Sequence, residues 1–88
     1  LPSRYLVYLP YGEHIGISQR IDGDERERLK TQLGELMHQV NLQGGLIART
    51  AAENIPQSKL EEDIYYLLSF GVWYKPVVVK LRPIAVLS

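Results

Sequence analysis

The order of predicted elements, strand-strand-helix-strand-helix, places this 88-residue chain in the α+β class, with a small mixed sheet in one layer and two helices in a second. Three observations carry that prediction. Two short runs rich in β-branched and aromatic residues open the chain, a leucine stripe at helical spacing follows, and glycines, prolines and acidic residues punctuate the joins.

Arg4 to Leu9 predicts the first strand, since Tyr5, Leu6, Val7, Tyr8 and Leu9 all favour a pleated surface. Pro10-Tyr11-Gly12-Glu13 predicts a turn. Ile15, Ile17 and Ile21 then mark a second strand with period two and one polar lapse at Gln19. The short connection predicts that these two strands pair as an antiparallel hairpin. Asp22-Gly23-Asp24 breaks the run and opens a helix, with Asp22 or Asp24 as cap and Glu25 in the first turn. Leu29, Leu33, Leu36, Met37 and Val40 fall on one stripe of it, and Glu25–Arg28 and Glu27–Lys30 are spaced to pair on the wet side.

Gly44-Gly45 permits positive φ in the next connection. Leu46-Ile47-Ala48-Arg49-Thr50 predicts the third strand. After Pro56, Ser58-Lys59-Leu60-Glu61 matches a capping box, and Leu60, Ile64, Leu67 and Leu68 share the buried face of a second helix that Gly71 ends. Val77 to Leu81 predicts a further strand between Pro76 and Pro83, in a β-rich tail. There is no internal repeat and no low-complexity linker.

Length allows one domain at most, and one of this size buries only about 60% of its unfolded surface. An apolar fraction of 45% argues against disorder. Ten basic residues balance ten acidic ones, so any contact with nucleic acid rests on local charge and not on a basic field. Without cysteine there is no disulfide, thiolate metal site or cysteine nucleophile, which is compatible with a reducing cytoplasm. No apolar run reaches the roughly 20 residues that span a bilayer. Leu1-Pro2-Ser3-Arg4 lacks the layout of a signal peptide and leads almost directly into a strand, as expected of a chain cut from something longer.

No nucleophile–base set announces itself. His14 and His38 bear no family spacing to Ser18, Ser58 or Ser69, and they form no helical metal motif. Glu61-Glu62-Asp63 reads as negative charge placed at a helix start, and Asp22 and Asp24 as turn and cap residues. Arg49-Thr50 ends an apolar strand and leads into Ala51-Ala52. From the residues alone this is either a solvated strand end or an anion site, with a guanidinium fork, a hydroxyl and approachable backbone. Tyr5, Tyr8, Tyr11, Tyr65, Tyr66, Trp73 and Tyr74 offer stacking surfaces, but several belong to core or interface and no RNP-like pattern joins them.

Several blocks occur in order. They are Arg4-Tyr5-Leu6-Val7-Tyr8-Leu9-Pro10, His14-Ile15-Gly16-Ile17-Ser18-Gln19-Arg20-Ile21, Glu25-Arg26-Glu27-Arg28-Leu29-Lys30, and Gly44-Gly45-Leu46-Ile47-Ala48-Arg49-Thr50-Ala51-Ala52-Glu53. Together they resemble the RNase E/G family of endoribonucleases, nearer its G branch. The resemblance covers residues 4–68, weakens after Leu60, and lies in the 5′ sensor subdomain; residues 69–88 form a divergent tail. It implies a cytoplasmic enzyme of RNA processing and decay whose sensor prefers RNA with a 5′-monophosphate. Arg49 would then contact the phosphate through its guanidinium and Thr50 through its hydroxyl and backbone N–H. Val7 matches an aliphatic residue near the terminal nucleotide, and Ser3 stands where that pocket has a glycine.

The same resemblance implies that no cofactor is held in this stretch. The magnesium-holding aspartates, the zinc-linking cysteines of relatives and a second sensor arginine would all lie outside it. Partners implied are RNA, the remaining subdomains of the enzyme and, in the parent protein, further protomers. The alternative is a non-catalytic structural module whose apolar tail and Tyr/Trp cluster pack against a neighbouring subdomain or protomer.

Overall fold

The computed structural model describes residues 2–70. Its elements are β1 (Leu6–Leu9), β2 (Ile15–Ile17), α1 (Gly23–Val40), β3 (Gly45–Ala48), a 3-10 turn (Thr50–Ala52) and α2 (Gln57–Leu68). This is the predicted order and class. The predicted strand from Val77 to Leu81 and the stop at Gly71 lie outside the described residues.

The strand pairing differs from the expected hairpin. The sheet order is β1-β3-β2, with β3 antiparallel to β1 and parallel to β2. The connection from β2 through α1 to β3 is thus a β-α-β crossover, which an 18-residue helix is long enough to make. The loop from Pro10 to His14 carries the chain from one edge of the sheet to the other, across the start of β3. Gly45 lies beneath that loop: a Cβ there would stand 2.7 Å from the His14 carbonyl oxygen. Gly44 supplies a φ of +113°, where a side chain would also meet the Leu9 carbonyl oxygen at 2.7 Å.

Both outer strands are shorter than the apolar runs predict. Residues 18–21 leave β2 in a turn, with Ile21 N–H donating to Ser18 O at 3.1 Å. The Arg26 guanidinium seals it by donating to the carbonyls of Ser18 at 3.0 Å and Ile21 at 2.9 Å. The polar lapse at Gln19 is this turn. Arg4 and Tyr5 are drawn out of β1 by contacts with α2 described below.

One face of the sheet carries the core. Leu6, Tyr8, Ile17, Leu46 and Ala48 are buried there against Leu29, Leu33, Leu36 and Val40 of α1 and Leu60, Ile64 and Leu67 of α2. The helical stripes match the sequence reading, but the helix starts do not. Asp22 occupies the cap position of α1 without a side-chain capping bond. The capping box is absent from α2, which begins at Gln57, so Ser58 already lies inside the first turn. The Pro56 carbonyl accepts from Lys59 and Leu60 N–H and opens the helix instead. At its far end α1 stops at Asn41 in the left-handed region, φ 56°, with no glycine needed.

The other sheet face has no helix over it among the described residues. Register places Val7 beside Ile47 and Ile47 beside Gly16, so alternation sends Val7, Leu9, Ile47 and Arg49 to this outer face. Replacing Gly45 with alanine is expected to lower stability by about 1–3 kcal/mol in chemical denaturation, because the crossing backbone must lift. An unchanged midpoint would show that the loop does not press on β3.

Candidate functional site

A tight loop before β1 builds the site. Ser3 N–H donates to Leu6 O at 2.8 Å, and Pro2 and Val7 face each other in an antiparallel bridge. What holds this loop is Asp63 on α2, whose residue exposure is 0%. Its Oδ2 accepts from Ser3 Oγ at 2.6 Å and from Tyr5 N–H at 2.9 Å, and its Oδ1 from Arg4 Nε at 3.2 Å. Ser3 Oγ in turn accepts from Leu6 N–H at 3.3 Å. A carboxylate with three donors is satisfied in a place where an unpaired one would be strongly destabilising.

Asp63 therefore departs from the sequence reading of Glu61-Glu62-Asp63. Those residues lie in the second turn, past the first turn of α2, which holds no acidic residue. Glu62 stays exposed and pairs loosely with Arg4 at 3.6 Å and Lys59 at 3.7 Å. The available signal for Asp63 was its spacing: it falls at i+3 from Leu60, on the buried stripe.

With the loop held, the Ser3 carbonyl is aimed at β3. Arg49 Nη1 donates to it at 2.8 Å, while Arg49 N–H donates to Tyr5 O at 2.8 Å. Arg49 thus ends β3 with both backbone and guanidinium tied to the β1 edge. Among the described residues, it has no carboxylate within 4 Å. Arg49 lines an open groove of about 580 Å³ together with Pro2, Ser3, Arg4 and Tyr66.

Thr50 turns the other way. Its hydroxyl lies 2.9 Å from Ser18 Oγ, at the β2 edge. It begins the 3-10 turn, in which Ala52 N–H donates to Arg49 O at 2.8 Å and Glu53 N–H to Thr50 O at 3.1 Å. Val7 is half-buried on the outer face, opposite Ile47. The structure accordingly brings Ser3 and Arg49 into contact, sets Thr50 next to Arg49 on the opposite side of β3, and places Val7 along the same face. The Ser3 hydroxyl is spent on Asp63; its carbonyl is what meets Arg49. Ser18, Arg4 and Asp63 were not picked out as site residues by the sequence, and Tyr66 stood there only as one of seven aromatic residues that could stack.

The loop after Thr50 is clamped from α1. Glu25 Oε2 accepts from Asn54 N–H at 2.6 Å, and Arg28 grips the same carboxylate through Nε at 2.9 Å and Nη2 at 2.5 Å. Asn54 itself holds a φ of 64°. The Arg28 hydrogen bonds, aided by the Asn54 N–H against a smaller opposing effect of burial, lower the Glu25 pKa to about 2. Among the described residues no three His, Asp or Glu side chains gather where they could hold a metal ion. His14 and His38 are exposed. No described helix is long and apolar enough to cross a membrane.

Two outcomes follow from these clamps. Asp63→Ala should cost about 3 kcal/mol or more in denaturant unfolding, since it removes the acceptor of Ser3 Oγ, Tyr5 N–H and Arg4 Nε together and leaves a cavity, and Asp63→Asn should cost less. Equal, small losses for both would mean that the carboxylate does not organise the loop. The Glu25 pKa is depressed on folding, so its stabilisation is complete above about pH 4.5 and fades as pH falls towards about 2. The difference in thermal midpoint between the wild type and Glu25→Gln should therefore shrink across that window, and a constant difference would dismiss the clamp.

The chain matches the model of the Ribonuclease E/G family over residues 1–75. It is 48% identical over 84 residues to Ribonuclease G of Escherichia coli K12, covering 94% of this chain and 16% of that protein. Ribonuclease G of Haemophilus influenzae is 41% identical over 68 residues, 76% of this chain and 13% of the relative. Ribonuclease E of Synechocystis is 34% identical over 64 residues, 73% of this chain and 9% of the relative. The chain spans at most 16% of the length of these relatives. On the family match and these identities, the chain belongs to the Ribonuclease E/G family.

Proposed function

We propose that this segment binds the 5′-monophosphate end of RNA within an endoribonuclease of the RNase E/G type, and that the cut is made by other segments of the enzyme. The observation that carries the reading is Arg49: a guanidinium held in place by the Ser3 carbonyl, facing a groove, with no carboxylate within 4 Å among the described residues. A positioned guanidinium without a counter-ion is suited to phosphate, whose oxygens it bonds in pairs. Thr50 is assigned a hydroxyl and backbone N–H contact to the same phosphate, for which its hydroxyl would exchange the Ser18 Oγ partner it has at 2.9 Å. Val7 and Ile47 supply an apolar surface for the terminal nucleotide on the same sheet face.

In this reading Ser3 contributes backbone and Asp63 acts at one remove, by holding Ser3. Residues 4–68 act as the sensor subdomain of a cytoplasmic RNA-processing enzyme. Magnesium, which the family resemblance implies for hydrolysis, is assigned to the catalytic part and not to these residues. Leu9, Tyr11 and Tyr65 are exposed, which favours a second, compatible role in packing against neighbouring subdomains or another protomer.

Fluorescence anisotropy with matched 5′-monophosphorylated and 5′-hydroxyl oligoribonucleotides tests the assignment. The wild type should prefer the phosphorylated end, more so at low salt. Arg49→Ala should reduce that preference about tenfold and Arg49→Lys should keep part of it, because the ammonium retains charge but loses the fork. An Arg49→Ala protein with the preference intact would place the phosphate elsewhere.

A further inference from the structure

The groove beside Arg49 is larger than a phosphate contact requires. At about 580 Å³ it falls within the roughly 300–1,000 Å³ of small-ligand clefts. Its two arginines are electrostatically unlike. Arg4 bonds Asp63 at 3.2 Å, has Glu62 at 3.6 Å, and sits 4.9 Å from the centre of the Tyr5 ring. Two carboxylates offset its charge, and a second phosphate placed there would meet their repulsion. Arg49 has no such neighbour among the described residues. The groove therefore favours an anion at its Arg49 end and a neutral group at its Arg4–Tyr66 end.

The neutral end carries an aromatic platform. Tyr66 is 51% exposed although it lines the groove, and Phe70 braces its ring from one turn further on. The two rings meet nearly perpendicular, at 86° with centroids 5.0 Å apart. A braced, half-exposed ring loses little freedom when a flat partner stacks on it. Single-stranded nucleic acid joins a phosphate to a flat, uncharged ring, and stacking of this kind tolerates any base.

We propose that the Tyr66 end of the groove receives a nucleobase from the first two nucleotides of the strand whose 5′-phosphate Arg49 holds. The base stacks on the Tyr66 ring. This rests on the reading of Arg49 as the phosphate ligand and extends it from an anion site to an end-plus-base site.

The test uses the full chain and 5′-monophosphorylated single-stranded oligoribonucleotides that are intact, abasic at position one or abasic at position two, each with a 5′-hydroxyl counterpart. Wild type should lose about tenfold in affinity when the base is removed at one of the two positions. Tyr66→Phe should bind like the wild type. Tyr66→Leu should bind the intact strand as weakly as the wild type binds that abasic strand, with no further loss when both changes are combined, and should still prefer a phosphorylated end. A folded Tyr66→Leu protein that binds the intact strand normally, or a wild type indifferent to both abasic positions, overturns the proposal. So that the question does not depend on the leucine variant folding, 2-aminopurine placed at each position should be quenched on binding wild type at one of them, and quenching at neither also overturns it. A base effect without any preference for the 5′-phosphate would remove the Arg49 assignment while supporting the stack on Tyr66.

Discussion

A carboxylate with no exposure must have its lone pairs filled, and Asp63 fills them from one short stretch of chain. Ser3, Arg4 and Tyr5 all donate to it, so the segment before β1 is bent onto α2 and cannot continue as a strand. That bend turns the Ser3 carbonyl towards β3, where it receives the Arg49 guanidinium. The orientation of the residue proposed to meet phosphate thus depends on a helical residue, Asp63, 14 positions later in the chain. Burial of charge is normally unfavourable, and here it is offset by hydrogen bonds that also define the site.

Sheet order is the second constraint. With β3 between β1 and β2, its end receives contacts from both edges: Arg49 reaches Ser3 on one side and Thr50 reaches Ser18 on the other. A β1–β2 hairpin would have left β3 at an edge, with one flank only. The crossing loop over Gly45 is what this order demands of the connection, and the absence of a side chain there leaves room for it. The clamp from Glu25 to Asn54 then fixes the path of the chain just beyond the turn, so the segment from Ala48 to Asn54 is held at both ends.

Charge is arranged locally in a chain whose total is zero. Most of the paired cations are occupied with structure: Arg4 with Asp63, Arg28 with Glu25, and Arg26 with the carbonyls of the turn after β2. Arg49 is tied to a carbonyl, which orients it without neutralising it. That distinction separates a structural arginine from one suited to bind an anion, and net charge carries no trace of it.

Much of the fold was legible in the sequence because it follows from periodicity. Element order, the class, the buried stripes of both helices and the β3 run are local patterns, set by which residues must leave water together. The ordered blocks around Arg49-Thr50 pointed to the family and to the residues of the candidate site. Local pattern does not encode which strands pair: Leu6–Leu9 and Ile15–Ile17 looked adjacent, and only the packing of α1 back onto the sheet put β3 between them. The same holds for Asp63, which lay within an acidic run that local rules assign to solvent, and for the two arginines of the groove, whose difference depends on partners about 60 residues away for Arg4 and 46 for Arg49. The sequence determined which residues could be buried and which could carry charge; tertiary structure decided which charges were left available, because a hydrogen-bond partner is a matter of position in space.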